Sequence, residues 1–511
     1  MANNITKAAA VIVVMNLVAK ILGFVREMAI AGAFGATMYT DAYLVAYTLP
    51  YSLQAVLGSA LVTVTVPLLT KYLLEDNQKE ANLVGNYFLN LVALAMLVIT
   101  ILGIAFAPIL VTVTAPSLDN ETAALAVQLT RIMFPSILFM SIGMVLSGYL
   151  NANHRFLVSA SAPALCSAII IVSVLFVTRI QGLAVGTLLG FIGLMLIHFP
   201  SVAKTGFRYR FKLSWNHPDV RMAMVSLIPI VLGTSVNQIY YILNRIFASG
   251  LAEGSISVLN YASKVVNLPS GVFVAAIAVA IYPYLTEYAM KGEEDKLDRI
   301  IHKGVGLVMF LGIPSAVGLM ILRQPIITLL FQRGAFDAAA TLNTSSALFW
   351  YSLGLLPYAV ILVMMKVYYA FEDNKLPLYA GMIGILVNVV ISFLTVRWMG
   401  SDGLALATSL ASTANMLVFF IALKKHMSHF RYRPLLQSFG KILFSSLLMA
   451  AAVSVVEWCL RLLGMESNFI IVALGIISGV AVYLLAASVM KLREFDDMKE
   501  ILLRKIKRNS A

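Results

Sequence analysis

Long apolar segments separated by short polar ones run along almost the whole chain. A 19-residue window places apolar segments near residues 9–30, 42–69, 84–113, 124–150, 157–178, 182–202, 222–249, 257–286, 304–322, 339–370, 376–396, 403–423, 437–460 and 467–490. Each is long enough to cross a bilayer as a helix, so the pattern predicts fourteen membrane spans. Several exceed 25 residues and contain proline, as around Pro50 and Pro269, which predicts bent helices that line a cavity.

The composition agrees with this pattern. Of 511 residues, 60% are apolar and 12% are charged, which excludes a soluble enzyme or a soluble nucleic-acid-binding protein. The expected fold class is an all-α polytopic membrane protein. The two cysteines, Cys166 and Cys459, each lie inside an apolar run, so they predict neither a disulfide framework nor a metal site.

The cations are distributed unevenly between the two sets of alternate loops. One set contains 25 Lys and Arg residues, and the other contains only Arg179, Arg323, Arg333, Arg397 and Arg461. Positive loops stay on the cytoplasmic side, so the asymmetry predicts that both termini are cytoplasmic. The net charge of +13 therefore reflects topology, and the basic C-terminal tail is expected to face solvent or anionic lipid, with no nucleic-acid partner.

Short strings recur along the chain at a nearly constant offset. Residues 182–187 (GLAVGT) return as 403–408 (GLALAT), and residues 67–72 (PLLTKY) return as 283–288 (PYLTEY). Offsets of 216 to 221 indicate two homologous halves of six helices, and an even number of helices inserts both halves the same way up. We therefore predict an N-lobe at 1–215, a C-lobe at 216–430, and helices 13 and 14 with the basic tail at 431–511.

Two parallel lobes around a central cavity are typical of alternating-access transporters. A channel would more often be a symmetric oligomer, and a membrane scaffold without transport remains the alternative from another class. The scaffold leaves the charges inside the spans unexplained. Seven cations fall there: Lys20, Arg26, Arg131, Arg245, Lys264, Lys366 and Lys441.

The charges of the first two predicted helices form the main candidate site. Helix 1 contains Lys20, Arg26 and Glu27, which can share one broad inner wall, and Asp41 begins helix 2. Lys264 lies on the corresponding helix of the second half. Intramembrane charges usually face a cavity, so an excess of cations predicts an anionic substrate. The alternative is that Lys20 and Arg26 snorkel or form structural ion pairs.

Motifs for catalysis or nucleotide binding are missing from the sequence. It contains no G-x-x-x-x-G-K-[ST] string, and its six histidines include no H-E-x-x-H pair. We therefore expect a transporter without a cofactor, in which uphill movement depends on membrane potential, an ion gradient or consumption of the product.

Several strings resemble the signature of the MurJ (MviN) lipid II flippases, which belong to the multidrug/oligosaccharidyl-lipid/polysaccharide exporter superfamily. The matching segments, spread through both halves, are 20–27 (KILGFVRE), 34–36 (FGA), 40–43 (TDAY), 49–50 (LP), 151–156 (NANHRF), 261–262 (YA), 268–271 (LPSG), 313–316 (IPSA) and 331–336 (FQRGAF). Helices 13 and 14 also fit the fourteen-helix form of that family.

The resemblance implies that the chain moves lipid II, the undecaprenyl-pyrophosphate-linked disaccharide-pentapeptide, from the inner to the outer leaflet of the cytoplasmic membrane. Lys20, Arg26 and Lys264 would grip the diphosphate, because Lys and Arg form charge-assisted bonds to phosphate. Glu27 and Asp41 would hold these cations apart or pair with them between cycles. Helices 13 and 14 would form a groove for the polyprenyl tail. Weaker headgroup candidates are Gln54, Ser59, Asn267 and Arg131.

The sequence departs from the family pattern at two places. Gln54 and Ser59 stand where many members have a basic residue and then a glutamate. The positions that match carboxylates of a cation site in some members are Asn244 and, beside Asn388, Ser392. Neutral residues would bind sodium poorly, so we assign no sodium coupling and expect the membrane potential to act on the positive cavity.

Other functions remain open at the level of sequence. The nearest is a flippase for another polyprenyl-diphosphate-linked glycan, and a drug/cation antiporter is less favoured because helix 1 is net basic. The expected partners are lipid II and membrane lipids. Proteins of cell-wall synthesis are candidate partners, and we expect the chain to function as a monomer.

Overall fold

A computed structural model describes residues 2–427 and 429–499, without the side chains of residues 2–11, 233, 236, 237, 272 and 275. Within this part of the chain every regular element is a helix, which confirms the predicted all-α class. The side chain of Lys7 and the tail cations Arg504, Lys505, Lys507 and Arg508, all used in the charge tally, lie outside the described residues.

The first half of the chain forms nine helices. They are α1 (Ala2–Phe34), α2 (Met38–Leu74), α3 (Gln78–Ala105), α4 (Ala107–Thr114), α5 (Asn120–Met133), α6 (Ser136–Ala152), α7 (Phe156–Phe176), α8 (Ile180–Leu196) and α9 (His198–Ala203).

The second half follows the same order and is extended by two helices. It consists of α10 (Pro218–Ala248), α11 (Ser255–Pro269), a π-helical turn (Ser270–Val274), α12 (Ala275–Met290), α13 (Glu294–Ile321), α14 (Arg323–Phe331), α15 (Ala338–Leu353), α16 (Leu355–Ala370), α17 (Lys375–Met399), α18 (Ser401–Leu423), α19 (Tyr432–Leu462) and α20 (Asn468–Val489).

Helix boundaries repeat with the offset that the sequence strings predict. The first residues of α11, α13, α15 and α18 follow those of α2, α3, α5 and α8 by 217, 216, 218 and 221 positions. Capping repeats as well: Asp119 accepts bonds from the first turn of α5, and Asp337 accepts one from the first turn of α15. A duplicated sequence has therefore kept a duplicated helical order.

Among the described residues, ten helical segments are long and apolar enough to cross a membrane, and an eleventh arises if α15 and α16, bent by 43°, count as one span. The predicted count of fourteen is therefore not confirmed in the described part of the chain. Three of the predicted long segments are interrupted, at Phe106, at Pro135 and at Gly354, where one helix ends and the next begins.

The chain separates into two compact units. One comprises residues up to Ser257 together with Arg333–Phe336, and the other comprises Val258–Gln332 and the residues from Asp337 onward. In the first unit α2 packs against α5, α6 and α10, and α1 packs against α7. In the second, α13 packs against α12, α16 and α19 around buried apolar residues. The three-part division at 1–215, 216–430 and 431–511 stays a prediction.

The Arg333–Phe336 loop belongs to the first unit because it packs against the end of α1. The Ala335 N–H donates to the carbonyl of Gly32 at 2.8 Å. Gly35 and Gly334 both adopt positive φ, at +69° and +58°, and a Cβ at either would collide with the backbone of the facing segment. Close backbone approach of this kind requires glycine.

Candidate functional site

The buried ion pair of α1 is the central feature of the candidate site. Arg26 Nη2 lies 2.8 Å from Glu27 Oε1, and the two side chains are 15% and 8% exposed. Both belong to the C-terminal part of α1, which packs against α7 within the first unit. Neighbouring helical residues normally diverge, so the long Arg26 side chain must turn toward Glu27 to make this contact.

Tyrosines of α2 face this pair. Tyr43, Tyr47 and Tyr51 recur every four residues, and their rings follow one another at centroid separations of 5.9 and 5.6 Å. Tyr43 shares a 2.9 Å hydrogen bond with Thr187 of α8, and both Tyr43 and Tyr47 interact electrostatically with Arg26. The candidate site predicted from the charges did not include these tyrosines. Their spacing on one face of α2 is the signal that places them beside Arg26.

Lys20 lies on α1 six residues before Arg26, about 9 Å along the helix axis at 1.5 Å per residue. Its side chain is exposed, whereas those of Arg26 and Glu27 are largely buried. The predicted wall of three charges on α1 therefore combines one accessible cation with one enclosed ion pair.

Asp41 is buried and bonds the start of α11. Its Oδ2 accepts from the Gly254 N–H at 2.8 Å, and its Oδ1 accepts from the Ser257 N–H at 2.8 Å and from the Ser257 hydroxyl at 2.5 Å. A carboxylate that accepts backbone N–H groups in a first turn acts as an N-terminal cap, although Asp41 belongs to another helix. In this structure Asp41 therefore joins α2 to residues 254–257, within the first unit.

Arg245 of α10 extends the same polar group. Its Nε donates to the Thr48 hydroxyl of α2 at 3.2 Å, and its Nη1 lies 3.4 Å from the carbonyl of Ile256. Asp41 also interacts electrostatically with Arg245. The sequence marked Arg245 only as one of the cations inside the spans, because its contacts come from residues distant in the chain.

The weaker headgroup candidates of the first unit are distant from the ion pair in the sequence. Gln54 and Ser59 follow on α2, and the Ser59 hydroxyl lies 3.3 Å from the carbonyl of Val56, within its own helix. Arg131 is exposed in the last turn of α5. Among these three, only Gln54 is half-buried.

Lys264 and Asn267 lie in the second unit, on α11. Lys264 is half-buried and Asn267 is exposed, and both precede the π-helical turn at Ser270–Val274. Lys366 of α16 lies over the rings of Tyr282 and Tyr369, at 5.3 and 5.7 Å from their centroids. Those contacts identify Lys366 as a cation held by aromatic faces.

Neutral polar groups occupy the positions that match the cation-site carboxylates of some family members. Asn388 and Ser392 lie one turn apart on α17 and are fully buried. Within the described chain, the Asn388 amide atoms and the Ser392 hydroxyl have no hydrogen-bond partner, and neither does Asn244 Oδ1 in the first unit. These groups supply oxygen atoms without negative charge. The absence of sodium coupling stays a prediction.

Comparison with known proteins identifies relatives over most of the chain. The sequence model of one family, described as lipid II flippase MurJ, matches residues 30–474. A probable lipid II flippase MurJ of Vibrio cholerae is 30% identical over 430 residues, which cover 81% of this chain and 82% of that protein. A lipid II flippase MurJ of Burkholderia cenocepacia is 27% identical over 468 residues, covering 89% and 90% of the two chains.

Solved structures give the same relationship. A lipid II flippase MurJ in an inward closed conformation superposes with a TM-score of 0.80 and 27% identity, covering 94% of this chain and 98% of that one. An inward-facing multidrug resistance MATE transporter of the MOP superfamily superposes at 0.67 with 15% identity, covering 82% and 98%, and shows a shared fold. The resemblance inferred from the helix 1 signature is confirmed, and the chain belongs to the MurJ family of lipid II flippases.

Proposed function

We propose that this chain is a flippase that moves lipid II from the inner to the outer leaflet of the cytoplasmic membrane by alternating access. Family membership supports this substrate, since the relatives that match over four fifths of the chain are named lipid II flippases. The reaction is transport, with no covalent chemistry. The structural observation that carries the proposal is the buried Arg26–Glu27 pair on α1.

Burying an arginine on a membrane helix costs free energy unless the charge is paired. Charged residues inside a membrane therefore usually belong to a functional site. A guanidinium has five N–H donors, more than one carboxylate can accept, so Arg26 can bind a diphosphate oxygen as well as Glu27. Glu27 lowers the net charge of the pair and thus limits how tightly the diphosphate is held. A transporter needs such a balance, because it must bind the substrate and then release it.

The remaining roles follow from position and charge. Lys20, the accessible cation of α1, would meet the diphosphate first, and Lys264 of α11 would bind it from the second half. Asp41 would keep the start of α11 in place through its contacts with Gly254 and Ser257. Gln54, Ser59, Asn267 and Arg131 are secondary headgroup candidates.

The polyprenyl tail requires an apolar surface outside the headgroup site. Helices α19 and α20 expose large apolar side chains along their lengths, including Phe444, Trp458, Phe469 and Ile477 at 53%, 63%, 66% and 65%. Such a surface suits a hydrocarbon chain lying beside the protein. We assign the tail to these two helices.

The energy source we propose is the membrane potential acting on a net positive site. One elementary charge that moves across the field is worth about 2.3 kcal/mol per 100 mV. Asn388 and Ser392 would offer a cation only uncharged oxygen atoms, which argues against sodium as the coupling ion. We further propose that both termini are cytoplasmic, that the chain acts as a monomer, and that proteins of cell-wall synthesis consume its product.

Complementation tests the substrate and the site together. Bacteria depleted of their own lipid II flippase would express the wild-type chain, Arg26→Ala or Arg461→Ala, at matched membrane levels. Arg461 is the control because it forms an equally short 2.8 Å pair with Glu457 but is exposed on α19. We expect wild type and Arg461→Ala to restore growth and surface-accessible lipid II, and Arg26→Ala to fail.

The other outcomes separate the parts of the proposal. If well-expressed wild type does not restore growth, the substrate is wrong, and a flippase for another polyprenyl-diphosphate-linked glycan becomes the better function. If Arg26→Ala restores growth as well as wild type, the substrate stands and the assigned site is wrong.

A further inference from the structure

The connection between α9 and α10 is held against α3 by a row of asparagines. The connection comprises residues 204–217, and its central part, residues 206–216, contains neither helix nor strand and is called the strap below. Asn82, Asn86 and Asn90 recur at four-residue intervals and therefore share one face of α3. All contacts between this row and the strap lie within the first unit.

Alternate carbonyl groups of the strap point at this row. Asn82 Nδ2 donates to the Gly206 carbonyl at 2.9 Å, and Asn86 Nδ2 donates to that of Arg208 at 3.0 Å. Asn90 Nδ2 donates to the carbonyls of Arg210 and Lys212 at 3.0 and 2.9 Å. Every second carbonyl facing the same side is the geometry of an extended chain. The strap is therefore an extended segment fixed along α3.

The Arg210 N–H completes the row by donating to Asn86 Oδ1 at 2.7 Å. At its beginning the strap is anchored by Phe207, whose ring packs edge-on against Tyr149 at 4.8 Å. The Tyr209 hydroxyl also reaches Asn90 Oδ1, at 3.0 Å. One edge of the strap backbone is thus bonded to α3.

These side chains alternate between two chemical classes. Odd positions are aromatic or aliphatic, and Tyr209, Phe211, Leu213 and Trp215 are 57%, 74%, 46% and 49% exposed. Arg208, Arg210 and Lys212 occupy even positions and are exposed too. From Lys204 to His217 the sequence contains no acidic residue. Because successive side chains of an extended segment point to opposite sides, the strap presents one apolar side and one cationic side.

The face of α3 that carries the strap continues as a lipid-facing stripe. Leu97 and Ile101 lie eleven residues, close to three whole turns, beyond Asn86 and Asn90 and are 42% and 57% exposed. An apolar stripe on a membrane helix faces acyl chains. The strap thus lies along the first turns of α3, next to the start of that stripe.

We propose that the strap is a docking surface for anionic phospholipid. Aromatic side chains favour the boundary between acyl chains and headgroups, and arginine and lysine bind lipid phosphates. Phe211, Leu213 and Trp215 enter this boundary, while Arg208, Arg210 and Lys212 bind the headgroups. Because the asparagine row fixes the backbone, docking the strap also fixes the depth of α3 and of the start of α10 in that leaflet.

Fluorescence quenching tests the proposal on the full chain in lipid nanodiscs. The four tryptophans are Trp215, Trp350, Trp398 and Trp458, so a chain retaining only Trp215 reports on the strap. Quenching would be compared between acyl-brominated phosphatidylglycerol and acyl-brominated phosphatidylcholine at equal mole fraction. We expect at least about twofold stronger quenching of Trp215 by the anionic lipid, a preference that salt should weaken.

Two controls isolate the role of the cations. A chain retaining only Trp458, exposed on α19 beside Glu457, should show equal quenching by both lipids. Replacing Arg208, Arg210 and Lys212 by Gln should bring the Trp215 ratio to about one while leaving quenching by phosphatidylcholine intact. Replacing these side chains leaves the bonds from the asparagines to the backbone unchanged. The salt titration tests the same charge dependence on the chain with native cations.

Two results would overturn the proposal. Trp215 unquenched by either lipid would mean that the strap lies away from the bilayer and is available to a protein partner instead. Equal quenching by both lipids in the chain with native cations would show an apolar contact without headgroup recognition.

Discussion

Asp41 and Ser257 are hydrogen-bonded to each other twice, through the Ser257 N–H at 2.8 Å and the Ser257 hydroxyl at 2.5 Å. They are also 216 positions apart, within the range of offsets that relates the two halves. Each lies near the first turn of its helix, Asp41 in α2 and Ser257 in α11. The corresponding helix starts of the two halves thus supply an acceptor and a donor that bind each other.

Loss of the Asp41 carboxylate should destabilise the fold more than loss of the Ser257 hydroxyl. Asp41→Ala leaves the buried N–H groups of Gly254 and Ser257 without their acceptor, at about 1–3 kcal/mol each, whereas Ser257→Ala removes one bond worth about 1 kcal/mol. Thermal unfolding in detergent would rank the variants. Equal melting temperatures for Asp41→Ala and wild type would show that the cap contributes nothing to stability.

Neutralising Glu27 should tighten substrate binding and slow transport. Glu27→Gln leaves Arg26 with its full charge for the diphosphate, and a charge-assisted bond worth about 1.5–3 kcal/mol raises affinity on the order of tenfold. Native mass spectrometry with undecaprenyl diphosphate would measure affinity, and surface-accessible lipid II would measure transport. Weaker binding by Glu27→Gln would indicate that Glu27 orients Arg26 rather than competing for it.

Two glycines with positive φ should respond differently to alanine. Gly334, at φ +58°, faces the backbone of Gly32, whereas Gly464, at +71°, has open space where a Cβ would lie. Gly464→Ala should cost about 1–2 kcal/mol for the left-handed conformation alone. Gly334→Ala should cost more, because the loop must also leave α1. Similar losses of thermal stability in the two variants would contradict this close approach.

The loop between α16 and α17 should lose stability in acid. Burial raises the pKa of Asp373, but hydrogen bonds from His426 and from the backbone N–H groups of Leu376 and Lys375 outweigh it and lower the pKa overall. A lowered pKa in the folded state stabilises the fold above the unfolded value of about 3.9, and this contribution disappears as the pH falls further. Asp373→Asn should flatten the stability profile there. An unchanged acid profile would contradict the assignment.

Transport should depend on voltage and not on sodium. A site with net positive charge feels the membrane potential, and the Asn388 and Ser392 positions supply no negative charge for a sodium ion. Proteoliposomes with an imposed potassium diffusion potential, with and without a sodium gradient, would separate the two. Rates that follow sodium and ignore the potential would reverse this assignment.

Features encoded locally were accessible from the sequence. Apolar segments predicted helices, and strings such as 182–187 and 403–408 predicted the offset that the helix starts reproduce. The signature around Lys20 and Arg26 indicated the family. Hydrophobicity does not register short interruptions such as the one at Gly354, where the chain bends while remaining apolar.

Features that depend on tertiary contacts were not accessible. Nothing near Asp41 in the sequence shows that its carboxylate bonds Ser257. From its charge alone, Asp41 was predicted to pair with the cations or hold them apart. The docking of Ala335 on Gly32 joins segments 303 residues apart, and only a shared need for glycine marks both. Of the contacts described at the site, the Arg26–Glu27 pair joins neighbours in the sequence. The others join residues that only the folded chain brings together.

The π-helical turn at Ser270–Val274 makes the two halves mechanically unequal. Its counterpart in the first half is the stretch after Pro50, where α2 continues without interruption to Leu74. Proline is present at both points, as Pro50 and Pro269, but only the second is followed by a wider turn whose hydrogen bonds are more easily rearranged. The first half thus has one continuous helix where the second has a π-helical turn, so we expect bending during a transport cycle to be concentrated beside Lys264 and Asn267.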